Sequence, residues 1–83
     1  MTKRILVVED NELNLKLFCD LLRAHGYETR AVSDGREVLD EAHKFTPNLV
    51  IMDIHLPHVS GLDLIIALKA DDRLAVVPIM AVT

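Results

Sequence analysis

The chain has 83 residues, a formal net charge of −4, and is 51% apolar but only 4% aromatic. That length supports one small domain with a thin stability margin, and the aliphatic bias suits a Val/Ile/Leu-rich α/β core. The acidic balance leaves no basic stripe for nucleic-acid phosphates, and no stretch reaches membrane-spanning length.

The pair Lys3-Arg4 precedes four apolar residues, too few for the apolar region of a signal peptide. Cys19 is the only cysteine, so an intrachain disulfide is impossible and a reducing cytoplasm is expected. Beside Phe18 on a helix, Cys19 reads as a packed thiol rather than a nucleophile.

The first strand is expected over about Arg4 to Val8, where Ile5-Leu6-Val7-Val8 forms a continuous aliphatic run closed by Glu9-Asp10. A helix follows, with Leu13, Leu17, Phe18, Leu21 and Leu22 spaced for one face and Gly26 as a left-handed stop. Asn11 is placed to cap it, and Glu12 and Lys16, four apart, are expected to add minor support on the opposite face. Tyr27 to Val32 alternates polar and apolar residues, which predicts an edge strand guarded by Glu28 and Arg30.

Asp34 and Glu37 have capping-box spacing ahead of Val38, Leu39, Ala42 and Phe45, predicting a second helix. Thr46-Pro47-Asn48 breaks it, and Leu49-Val50-Ile51-Met52 forms another continuous aliphatic run, closed by Asp53. Ser60 and Asp63 repeat the cap spacing before Leu62, Ile65, Ile66 and Lys69, predicting a third helix. Asp71-Asp72 marks a loop, and Pro78 opens a last strand, Ile79-Met80-Ala81-Val82-Thr83. The pattern is β-α-β-α-β-α-β, an α/β fold in one domain over residues 1–83.

Unbroken aliphatic runs mark strands buried on both faces, hence a parallel sheet. Ligand sites in such sheets lie outside the carboxyl ends of the strands, where strand order reverses. If the runs ending in Glu9-Asp10 and Asp53 are neighbouring strands, three carboxylates converge there. Such a cluster demands a cation, and Mg2+ suits hard oxygen ligands. A carboxylate beside Mg2+ is able to attack phosphorus.

Each residue taken alone has a plainer role. A strand-end acid caps a helix or sits in a solvated turn. Pro57 and Gly61 mark a turn and a position tolerant of unusual backbone angles, and a strand-ending Thr83 is structural. His55 and His58 invite a zinc reading, but no Cys or third His completes a set, so they are expected at the surface. His25 and His43 lie toward helix C-termini, where positive charge complements the dipole, and are expected to be structural.

Taken together in order, Glu9-Asp10 after the first strand, Asp53 ending the third and Thr83 ending the fourth resemble the receiver domain of two-component response regulators. The loop Asp53-Ile54-His55-Leu56-Pro57-His58-Val59-Ser60-Gly61 carries the family's Asp, Pro and Gly at the expected spacings. The resemblance covers the whole chain and is nearest to single-domain cell-division regulators. It implies a flavodoxin-like doubly wound parallel sheet, incomplete here, with strand order 2-1-3-4.

It further implies that Asp53 accepts a phosphoryl group from a phosphohistidine, with Mg2+ held by Asp10, Asp53 and the backbone carbonyl of His55. Glu9 would hold a metal-bound water. The Thr83 hydroxyl would bind the phosphoryl group and shift an inactive–active equilibrium, and the first helix would dock a sensor histidine kinase or a histidine phosphotransferase.

Against the family pattern the sequence stops at the switch threonine. The expectation is therefore a fragment lacking a further helix, a fifth strand with its aromatic residue, the lysine after it and a fifth helix. Transfer would then be slower or not productive at all, and the fourth strand would present a raw edge inviting dimerisation or swapping. Two alternatives compete with the phosphoacceptor. One is a non-phosphorylated docking scaffold. The other is a haloacid-dehalogenase-type phosphatase, disfavoured because His55 stands where that class wants a second Asp.

Overall fold

In a computed structural model that describes residues 2–82, strands and helices alternate in the expected order. They are β1 (Arg4–Val8), α1 (Glu12–Ala24), β2 (Glu28–Val32), α2 (Val38–Phe45), β3 (Leu49–Asp53), α3 (Gly61–Ala70) and β4 (Ile79–Val82). The strands pair in parallel in the order β2-β1-β3-β4. The doubly wound α/β fold and its 2-1-3-4 order thus stand as the sequence implied.

The two central strands are the two aliphatic runs, and their side chains alternate between faces. Leu6, Val8, Val50 and Met52 point to one side, packing with Val38, Ala42 and Phe45 of α2 and Leu64 and Leu68 of α3. Ile5, Val7 and Ile51 point to the other and meet Cys19 of α1. Cys19 is fully buried, the packed thiol that its position suggested.

The face of α1 differs from expectation. Phe18 and Leu22 turn partly inward with Leu15, whereas Leu13, Leu17 and Leu21 are all more than half exposed. The helix carries leucine nearly all round, so periodicity left its buried face ambiguous and the sheet chose Leu15, Phe18, Cys19 and Leu22. In α3, Leu64 and Leu68 go inward while Leu62 and Ile66 face out. The ion pair on α1 also shifts, as Lys16 reaches Asp20 at 2.7 Å.

Asn11 and Ser60 cap α1 and α3 as expected, whereas α2 has no side-chain cap. Asn11 accepts from the Asn14 N–H at 3.0 Å, and Ser60 accepts from Leu62 at 3.2 Å. Asp34 caps a 3-10 turn, Gly35–Glu37, through the Arg36 N–H, and Glu37 returns no capping bond to α2. Gly26 adopts φ +88° beyond α1, the left-handed stop read from the sequence. β4 lies at a sheet edge, where Met80 pairs with Ile51 and is about half exposed.

Candidate functional site

Parallel register pairs Val8 with Met52, which brings Glu9-Asp10 and Asp53 to the same end of the sheet. Glu9 continues the strand direction because its N–H donates to the Val32 carbonyl at 3.1 Å. Its Oε1 accepts from the Asn11 N–H at 3.1 Å, tying the acidic turn to the cap of α1. On the other side, Asp53 Oδ1 accepts from the His55 N–H at 2.9 Å, so the loop folds back over its own carboxylate. Ile54 donates to Val82 and Gly61 to Ile54, both at 3.1 Å, which anchors the loop to β4 and to the start of α3.

Gly61 has a reason other than unusual backbone angles. Its φ is not in the left-handed region. A Cβ there would stand 2.5 Å from Ile54 Cα and 2.6 Å from the Asp53 carbonyl oxygen. Only glycine lets α3 begin this close to the end of β3.

Glu9, Asp10 and Asp53 each offer a carboxylate oxygen, all within 4.8 Å of one another. Glu9 is buried, Asp53 half-buried and Asp10 exposed. Burial pushes the Glu9 carboxyl above its ordinary range; the Asn11 N–H opposes this, while Asp53 and Asp10 add to the rise. Among the described residues, no Lys or Arg forms an ion pair with any of the three. A buried carboxylate close to two others, with oxygen-only donors, fits a hard divalent cation such as Mg2+.

Two of the three carboxylates, Glu9 and Asp53, line a cleft of about 390 Å³ together with Asn14, Phe18, His55 and Val82. Asn14 and Phe18 were not singled out as site residues, although their separation by four places both at the mouth of the cleft one helical turn apart. His55 and His58 are exposed, and neither joins the carboxylate cluster among the described residues. Thr83, the expected switch hydroxyl, lies outside the described residues.

The profile of the response regulator receiver domain matches residues 5–83. The chain belongs to that family. The receiver is 53% identical over 83 residues to the polar-differentiation response regulator DivK of Brucella ovis, aligning with all of this chain and 68% of that protein. The same identity and coverage hold for DivK of Brucella melitensis.

Among solved structures it superposes on the chemotaxis response regulator CheY4 of Vibrio cholerae with a TM-score of 0.93. That match has 26% identity and covers 98% of this chain and 68% of that one. It superposes equally, at TM-score 0.93 and 31% identity, on the receiver domain of a Pseudomonas aeruginosa sensor histidine kinase, covering 100% and 68% of the two chains. That structure was determined with a magnesium ion coordinated in its active-site cleft.

Proposed function

We propose that the chain is a single receiver unit over residues 1–83 that accepts a phosphoryl group on Asp53 in a His-Asp phosphorelay. The observation that carries this reading is the convergence of Glu9, Asp10 and Asp53 within 4.8 Å. In transfer, an Asp53 carboxylate oxygen forms a bond to phosphorus while the phosphorus–nitrogen bond of a phosphohistidine breaks, its electron pair leaving with the imidazole. Asp10 and Asp53 would ligate Mg2+ directly together with the His55 carbonyl, and Glu9 would hold one of its waters. Bound there, the ion neutralises charge on the phosphoryl oxygens and the attacking carboxylate.

The chain's own geometry supports the nucleophile. The His55 N–H fixes one Asp53 oxygen at 2.9 Å, and the loop closure at Gly61 holds the strand end in place. On this reading Thr83 supplies the hydroxyl that couples phosphorylation to a population shift. The donor is a sensor histidine kinase or histidine phosphotransferase docking on α1, in the cytoplasm, and the output is control of cell division. The chain promotes its own phosphorylation without acting as a turnover enzyme.

A second reading, a docking scaffold that needs no phosphorylation, draws on the exposed Leu13, Leu17 and Leu21 of α1. The family assignment leaves the phosphatase alternative without support. Acid-quenched intact mass after incubation with Mg2+ and a small acyl-phosphate donor separates the readings. A metal-dependent gain of one phosphoryl group, lost in Asp53→Asn, is the expected result. No gain in the presence of metal would favour the scaffold.

A further inference from the structure

Away from the acidic cleft, the C-terminal turn of α2 meets the segment that joins α3 to β4 through three side chains. His43 Nε2 lies 2.8 Å from Asp71 Oδ2, and Arg73 Nη2 lies 2.6 Å from His43 Nδ1. Asp71 also accepts the N–H groups of Arg73 at 2.9 Å and Leu74 at 3.2 Å.

The partners dictate the tautomer. A guanidinium only donates, so Nδ1 must accept from Arg73 with its lone pair; an ionised carboxylate only accepts, so Nε2 must carry the proton. Burial pushes the Asp71 carboxyl up, but the Arg73 N–H and the His43 contact outweigh it and hold it below the ordinary range. Asp71 therefore stays an acceptor.

Among the described residues no other charged side chain, Asp72 in the turn included, forms a hydrogen bond or ion pair with those of His43, Asp71 and Arg73. Glu41 on α2 is taken by Arg30 of β2 at 2.6 Å, and Asp34 by Arg36. Arg4 of β1 is bonded to Thr46, and Lys69 of α3 to the carbonyls of Ala75 and Val77. Asp40 and Lys44 on α2 and Asp63 on α3 make no hydrogen bond to the imidazole among the described residues.

We infer that His43 is a proton-controlled latch on the turn leading into β4. Neutral, it bridges Asp71 and Arg73; protonated, it keeps Asp71 and releases Arg73. Gaining a proton at Nδ1 removes the lone pair that Arg73 needs and sets two cations face to face. The Nε2–H bond to Asp71 meanwhile becomes an ion pair. The turn loses one of its ties to α2, next to buried Leu74.

The test uses the intact chain. Nitrogen-15 imidazole shifts followed through a pH series, in which the neutral and the protonated ring each have their own signature, read the tautomer. Amide exchange at Leu74, Ala75 and Val77, whose N–H groups hold the turn, reads its closure after correction for intrinsic rates. Expected are the Nε2–H tautomer at the higher pH and about fivefold lower protection at the lower pH, the factor set by one hydrogen bond. Arg73→Met, an exposed position, should start from the low protection at the higher pH and show no further fall at the lower. An Nδ1–H tautomer, protection in the parent chain that does not fall at the lower pH, or the same fall surviving in Arg73→Met would each overturn the latch.

Discussion

The two faces of the sheet are built differently. Under α2 and α3, the inward side chains of β1 and β3 join Val38, Ala42, Phe45, Leu64, Leu68 and Leu74 in a continuous buried cluster. Under α1, Ile5, Val7 and Ile51 meet Cys19 alone among fully buried residues, flanked by half-buried Phe18, Leu22 and Val82. One face is closed by two helices and a turn, the other by a single helix that keeps three leucines outside. The half-covered face also borders the acidic cleft, because Asn14 and Phe18 of α1 and Val82 of β4 line it. Stability is concentrated on the closed side and exposed chemistry on the open one.

Truncation on each face should give the widest contrast. Leu68→Ala, at a side chain 1% exposed, is expected to cost about 3 kcal/mol through lost burial and a cavity. Leu17→Ala, at 58% exposure, should change urea stability by less than about 0.5 kcal/mol. Equal losses would mean that the faces share the core evenly.

The seam where the faces meet at the strand ends should respond next. Gly61→Ala puts a Cβ against backbone rather than flexible side chain, so a loss of about 2 kcal/mol is expected, with weaker Mg2+ binding from a displaced Asp53. A stable variant with undiminished Mg2+ affinity, measured by calorimetry, would show that the loop yields freely.

At the cleft the sign should reverse. Asp53→Asn relieves like-charge repulsion within the cluster, and the metal-free chain should gain about 1 kcal/mol after solvent screening. Mg2+ should raise the melting temperature of the parent chain and have little effect on the variant. A metal-free variant less stable than its parent would argue that a cation is not what the cluster awaits.

The smallest effect belongs to Asp34, where the Arg36 side chain and N–H lower the carboxyl to about 2. A folded-state value below the unfolded 3.8 means that the contribution is complete above about pH 4 and is lost as pH falls toward about 2. The melting difference between the parent and Asp34→Asn should vanish across that window. A difference unchanged in acid would assign the effect to capping geometry alone.

Some of this was legible in the residues themselves. The strands announced themselves as uninterrupted aliphatic runs, and a strand buried on both faces tolerates little else. The acids at their ends were legible for the same reason, since a charge stands out where burial stops. Gly26 was legible because only the left-handed region at φ +88° ends the helix there.

The buried faces of α1 and α3 were not. Leu13, Leu17 and Leu21 have helical spacing as good as that of Leu15, Phe18 and Leu22, and Leu62 and Ile66 as good as Leu64 and Leu68. Local pattern cannot break such a tie; docking against a particular sheet surface can.

The sequence by itself determined the element order, the parallel sheet and the identity of the three carboxylates. Each of these follows from local burial and the period of the chain. Tertiary structure alone decided that those carboxylates come within 4.8 Å and that Asn14 and Phe18 border them. It also decided that Gly61 is required by close approach and that His43 sits between Asp71 and Arg73. These are distances set by strand register and helix docking rather than by any local preference.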